Sequence, residues 1–353
     1  MAERQPALVT PFWVRIATET SLSPGWLLVA FPAVLYPAYL ALEVLFGRGV
    51  AAAMDFGSDY EVRILPFWAT SMGYFSMMGT YVARGTLRDL EALRPVLQGG
   101  EAEYFGLREQ LTRFDRRRLW VGALIVLALY CPIAELSVER WTRLVAGDWS
   151  LRVICIVAVS TMHGIVLGWT AVYAIDSSRL YSQIGERHVE VDLLDLGALS
   201  PLTRHGLRIV LFIVIFMAVL AVVWNLGAQS AGSSRTAALL LNCLGDTAVA
   251  TAAFVLPLRG LRRQIRARKA EELSRLREKI RRNRELADGS GTESAEAGAK
   301  LPGLLAYMNQ IESVREWPFD APTLTRFFLY VAIPLGSWVG GAFVERLLGA
   351  ALD

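Results

Sequence analysis

The sequence predicts an all-α fold, a polytopic membrane bundle of about seven transmembrane helices with helical cytoplasmic extensions. Three observations predict it. Hydrophobic residues make up 54% of the 353, above the share usual in a soluble domain. They are gathered into blocks long enough to cross a hydrocarbon core as a helix, which takes about 20 residues. None of these blocks shows the alternation over roughly 10 residues that a transmembrane barrel strand requires.

Taken in chain order, the expected spans are residues 26–46, 64–83, 119–135, 153–175, 209–226, 237–258 and 327–345. The region before the first span carries Pro6, Pro11 and scattered charge, and no small-residue cleavage site follows that span. It is therefore expected to stay in place as a membrane helix. The second span is the most polar, with Thr70, Ser71, Ser76 and Thr80. It is expected to run on as a helix through residues 84–94, where Leu87, Leu90 and Leu93 recur at helical spacing before Pro95 and Gly99-Gly100. Residues 107–118 lead back as a helix with Leu107, Leu111 and Phe114 on one face. The fourth span is expected to continue toward Ile184, and Ser200-Pro201 reads as a helix start.

The domain organisation follows. Residues 1–258 form a six-helix membrane bundle with cytoplasmic helical loops at 84–118 and 176–206. Residues 259–286 form a basic helix, with 12 Lys/Arg and three Glu between 259 and 284. Residues 287–300 are Gly-, Ser- and Glu-rich and expected to be a disordered linker. Residues 301–316 form an amphipathic helix on Leu301, Leu304, Leu305, Met308 and Ile311, and 320–346 hold the last membrane helix.

Orientation comes from the loop charges. Alternate segments carry 29 Lys and Arg on one side and 7 on the other. Omitting the long last loop still leaves 14 to 7. Basic loops stay in the cytoplasm, so the chain is placed in the inner (cytoplasmic) membrane with its N-terminus inside and its C-terminus outside.

The chemistry-bearing residues are few. Asp246 in the sixth span is costly at membrane depth and should face the bundle or water, and Asn242 shares its face one turn earlier. His163 in the fourth span has Ser160 and Gly164 nearby and lies at a similar depth. These residues either form an ion, proton or ligand site or hydrogen-bond helices together. Ala332, Gly336 and Gly340 recur every fourth residue in the last span, a stripe suited to close helix packing or to lining a pore; Ala69 and Gly73 repeat that pattern in the second. His188, Glu190, Asp192 and Asp195 cluster in a cytoplasmic loop, where a packed segment is favoured over a metal site. Cys131, Cys155 and Cys243 all fall in apolar blocks and read as small core residues. No phosphate loop, dinucleotide fingerprint, H-E-x-x-H or G-x-S-x-G motif is present, so no enzyme activity, cofactor or metal is expected.

Two stretches have a distinctive spelling. One is Val191-Asp192-Leu193-Leu194-Asp195-Leu196 followed by Leu199-Ser200-Pro201. The other is Trp317-Pro318-Phe319-Asp320 followed by Thr323-Leu324-Thr325-Arg326-Phe327. Together with Asp89-Leu90-Glu91-Ala92-Leu93-Arg94-Pro95 they resemble a family of uncharacterised bacterial multi-span membrane proteins. That resemblance implies a polytopic fold and brings no activity. In topology alone the chain is also similar to insect odorant and gustatory receptors, oligomeric channels whose last helix lines the pore; no residue carries over from them.

The leading expectation is a channel-like or receptor-like homo-oligomer with the last helix near its axis. One alternative is a non-conducting scaffold or signalling subunit acting through its basic cytoplasmic helices. The other is an ion- or proton-coupled transporter using Asp246 and His163. The expected partners are the lipid bilayer and further copies of the chain, without nucleic acid; the basic helix reads first as a solvated inner face that fixes topology, with anionic lipid heads at the cytoplasmic face as the alternative.

Overall fold

The computed structural model describes residues 8–46, 60–133, 142–143, 145–147, 149–226, 248, 250–288, 292–317, 322–330 and 332. They are almost entirely helical. The helices are α1 (Phe12–Glu19), α2 (Gly25–Phe46), α3 (Tyr60–Leu93), α4 (Gly100–Thr112), α5 (Arg116–Ile133), α6 (Leu151–Gln183), α7 (Ser200–Leu226), α8 (Arg259–Ala287) and α9 (Thr292–Ser313). Residues 322–330 are also helical. The strands β1 (Leu8–Val9) and β2 (Phe114–Asp115) pair antiparallel, with Val9 opposite Phe114.

Three helices among the described residues are long and apolar enough to cross a membrane: Gly25–Phe46, Val153–His188 and Leu196–Phe216. They include the first and fourth expected spans and overlap the fifth. The helices that carry 64–83 and 119–135 are not among the three. Most of 237–258 and 327–345 lies outside the described residues.

Helix α3 has 34 residues and α6 has 33, so each runs about 50 Å, well beyond the roughly 30 Å of a hydrocarbon core. The molecule accordingly has two packed layers along these helices. The first holds Trp13, Met72, Phe75, Met78, Tyr173, Ile209 and Phe212. The second holds Leu90, Leu93, Leu107, Leu111, Ile184, Leu202, Leu258 and Ile265. In both, interdigitated apolar side chains hold the helices in close packing.

Small residues bring the helices of the first layer together. Gly73 of α3 lies so close to α2 that an added Cβ would stand 2.7 Å from the Leu27 carbonyl oxygen. A Cβ on Gly168 of α6 would stand 2.5 Å from the Ala123 Cα of α5. In the same layer the Trp13 side chain covers Gly79 and is fully buried. The Arg84 guanidinium donates to the carbonyls of Ile16 and Thr20 at 3.3 and 2.8 Å, closing the C-terminus of α1.

The helical connections depart from expectation in three places. Helix α4 begins at Gly100, not near Leu107, because Gly99 and Gly100 take φ of 99° and 63° and turn the chain directly into it. Phe114 leaves that helix and pairs in β2. Residues 292–300, expected within a disordered linker at 287–300, are the first turns of α9. Its N-terminal region packs Ala297 into the α8–α9 hairpin, and Ser294 Oγ donates to the Ala287 carbonyl at 2.7 Å. Tertiary burial outweighs the polar composition there. At the other end of α9, Lys269 of α8 donates to the carbonyls of Glu312 and Val314, both at 2.7 Å.

Candidate functional site

One group of buried polar and charged residues converges where the two layers meet, on faces that the helical period makes inward. On α3, Val82, Thr86, Asp89 and Leu93 follow one another at three- and four-residue steps, and all are buried, as is Leu90 beside Asp89. Asp89 therefore occupies a core position. On α7, Arg204, His205 and Arg208 stand within a turn of one another, and on α6 Tyr173, Ser177 and Tyr181 step along the facing side.

The Arg208 guanidinium donates to Asp89 Oδ2 at 2.7 Å, and Arg204 Nε lies 3.6 Å from Oδ1. The Asp89 side chain is 3% exposed and that of Arg208 14%. Burial pushes the Asp89 carboxyl above the usual carboxylate range, while its hydrogen bond to Arg208 and the charges of Arg208, Arg204 and Arg88 pull it back. Gly85 makes this geometry accessible, because the Arg208 guanidinium passes directly over it where any Cβ would collide.

One turn away, Thr86 Oγ1 donates to the Val82 carbonyl at 2.8 Å and lies 3.1 Å from His205 Nδ1. Which of the two donates in the Thr86–His205 contact is set by the His205 tautomer. The Tyr181 hydroxyl donates to the Thr86 carbonyl at 2.6 Å. The Tyr181 ring stacks on His205 at 4.1 Å and 14°. The arrangement ties α3, α6 and α7 through one ion pair, one imidazole and one phenol. Chemically it fixes charge and orientation. Among the described residues no group of three His, Cys, Asp or Glu is placed to hold a metal ion.

His163 is fully buried beside the first layer, with Nε2 2.8 Å from Ser71 Oγ of α3. The rings of Trp68 and Phe75 lie 4.6 and 5.3 Å from it. Ser160 turns back on its own helix and donates to the Val157 carbonyl at 3.1 Å. Gly164 faces α5, where a Cβ would stand 2.5 Å from Leu127 Cδ2. Asp246 and Asn242 lie outside the described residues, as do Gly336 and Gly340; Ala332 is helical and exposed.

In the loop cluster, His188 Nδ1 lies 2.9 Å from Glu103 of α4. Asp192 and Asp195 accept from the Leu194 and Gly197 amides at 2.8 and 3.1 Å and shape the turn. Cys155, expected to be buried, is only half-buried; the side chains of Cys131 and Cys243 lie outside the described residues.

No protein-family model, curated protein or solved structure matches the chain.

The polar groups that stand out in the sequence lie at mid-membrane depth, in the 188–195 loop and on the basic helix, not at the layer junction. A signal was present. Asp89 falls within the Val82–Leu93 apolar spacing, and Arg204, His205 and Arg208 form a compact basic group at the start of an apolar helix. What was missing was any way to tell that these two segments touch.

Proposed function

We propose that the chain is a receptor-like or signalling subunit of the inner membrane. In this reading it crosses the bilayer seven times with its N-terminus in the cytoplasm, and its cytoplasmic helical layer moves as one with its membrane helices. The observation that supports the reading is continuity. Helices α3 and α6 run unbroken from apolar segments into the second layer, and Asp89–Arg208 with Thr86, Tyr181 and His205 joins them to α7 at the level where the layers meet. A tilt or rotation of a membrane helix would be carried through such a joint, since packed interiors transmit displacement instead of absorbing it. The functional output is then a change in the surface of the α8–α9 hairpin.

A second reading, the channel-like homo-oligomer, draws support from residues 322–330. Phe327 stacks on Phe254 at 4.6 Å, whereas Phe328 and Leu329 are 63% and 50% exposed. That outward apolar face would suit lipid or a second copy. For a transporter based on Asp246 and His163, Asp246 lies outside the described residues, and His163 Nε2 lies 2.8 Å from Ser71 Oγ beside the rings of Trp68 and Phe75.

Two measurements test the reading. Impermeant maleimide labelling of Glu278→Cys and Trp149→Cys, in a background with the native cysteines replaced, should label the first only in inside-out vesicles and the second only from outside. Labelling of both from one side overturns the topology. Native mass spectrometry in detergent, with ion flux from liposomes, then separates the functions. A monomer or dimer without flux supports the receptor-like subunit, and a trimer or larger ring with flux supports the channel.

A further inference from the structure

Arg116, Arg117 and Arg118 open α5, and all three are exposed. Arg118 lies 3.9 Å from the Asp176 carboxylate. Asp176 is the first charged residue after the apolar run 153–175 of α6, so it marks where that helix leaves the hydrocarbon. The three arginines therefore stand at headgroup level. Arg118 is held by Asp176, whereas the Arg116 and Arg117 guanidinium groups enter no ion pair among the described residues; the neighbouring Asp115 carboxylate accepts from the Arg117 backbone amide at 2.9 Å instead.

Along the same helix, Trp120, Val121, Leu124 and Ile125 are 41%, 47%, 62% and 53% exposed, while Leu119 and Ala123 are buried. Positions 117, 120, 121 and 124 fall on one face at helical spacing. Close packing holds this face in place: Gly122 would bring a Cβ within 3.3 Å of the Gly168 carbonyl oxygen, and the Trp120 ring meets Trp169 edge-on at 5.4 Å. Two guanidinium groups without an ion pair among the described residues stand above a continuous apolar strip, and that strip includes a tryptophan at the interface, where such rings concentrate.

The contrast with α8 matters, because the sequence pointed there for anionic lipid. Many arginines of α8 are already engaged. Arg263 pairs with Glu186 at 3.5 Å, Arg275 with Glu271 at 2.6 Å and Arg281 with Glu278 at 2.9 Å, while Arg262 covers the Trp317 ring at 4.4 Å. The helix also begins beside Ser182, whose Oγ accepts from the Gly260 amide at 3.1 Å. Six residues past Asp176 along α6 is about 9 Å beyond the membrane edge.

We propose that the outer face of α5 binds an anionic phospholipid of the adjoining leaflet, its phosphate on Arg116 and Arg117 and an acyl chain along Trp120, Val121 and Leu124. The inference rests on the membrane-spanning reading above. A guanidinium fork matches phosphate oxygens in geometry and charge, and a basic residue at the membrane surface is worth roughly a fivefold preference for anionic lipid.

The test uses the full chain in nanodiscs of equal phosphatidylcholine and phosphatidylglycerol, with retained lipid counted by native mass spectrometry. The wild-type chain is expected to retain phosphatidylglycerol preferentially. Arg116→Gln/Arg117→Gln should lower that preference by roughly tenfold or more, Arg116→Lys/Arg117→Lys should keep most of it, and Arg266→Gln/Arg284→Gln on α8 should leave it unchanged. An unaltered preference in the Gln pair, or an equal loss in the α8 pair, overturns the inference while leaving the membrane reading intact. Failure of the wild-type chain to enter nanodiscs overturns both.

Discussion

Replacing Arg208 by Met strips the guanidinium from Asp89 while filling much of the same space. Asp89 is then a carboxylate with a 3% exposed side chain, left with Arg204 at 3.6 Å, a side chain itself 54% exposed. Breaking a buried pair by removing one partner costs about 3–5 kcal/mol, because the remaining charge stays out of water. Arg204 offsets part of this, which puts the loss near the lower end, about 3 kcal/mol. In a chain of this length that corresponds to a fall of several degrees in the unfolding temperature, on the order of 5 °C. The assay is thermal unfolding in one detergent at one scan rate, since heating of such a protein reports a barrier as well as an equilibrium. Adding Asp89→Asn to Arg208→Met removes the stranded charge, so the double variant should lose less than the sum of the two single variants. The pH dependence has a definite sign. Burial raises the folded-state pKa of Asp89 above its unfolded value, so ionised Asp89 costs stability above that folded pKa, and the cost is relieved as the pH falls through it. Without Arg208 the folded pKa rises further. The deficit of Arg208→Met should therefore shrink as the pH is lowered from about 8 to about 5, and that of Asp89→Asn/Arg208→Met should not. A transition temperature unmoved by Arg208→Met, or a deficit that grows on acidification, refutes this account of the joint.

Gly168→Val should destabilise by about 1–3 kcal/mol, since the new Cβ meets the Ala123 Cα at 2.5 Å and the Gly122 carbonyl at 2.8 Å, backbone atoms that cannot swing away. Gly106→Ala in α4, with nothing within 4 Å, should instead stabilise by about 0.5–1 kcal/mol, and the same melting assay reads both. Ser71→Ala removes the 2.8 Å partner of His163 and should cost about 1–2 kcal/mol with no change in side-chain volume large enough to disturb packing; a neutral result would mean that the bond does not hold α3 to α6. Lys269→Met should leave the fold intact and speed amide hydrogen exchange over residues 311–317, because both carbonyls that Lys269 caps lie there; unchanged exchange in that segment would show that the cap is dispensable.

How much was legible beforehand differs by residue. The basic helix was readable over residues 259–286, and α8 spans Arg259–Ala287, because helix period and charge are local. The continuation of α3 past Ala83 was readable from Leu87, Leu90 and Leu93 for the same reason. Residues 292–300 were misread because their Ser, Glu and Gly composition is that of a linker, while their helical state depends on Ala297 and Ser294 finding α8. His163 stood out as a polar residue in an apolar block, but its partner Ser71 was 92 residues away, and nothing in either segment names the other.

By itself, then, the sequence determined the all-helical class, the apolar blocks long enough to cross a bilayer, three of which are helices among the described residues, and the basic helix of residues 259–286. These are sums over neighbouring residues, and hydrophobic transfer and helical period act on neighbours. Only the tertiary structure decided that Asp89 meets Arg208 across 119 residues, that Gly85 clears the path between them, and that Gly122 and Gly168 let α5 and α6 touch backbone to backbone. Such contacts depend on how whole helices rotate and cross, which is set by packing all the faces at once, and a chain read one segment at a time does not contain that information in any single place.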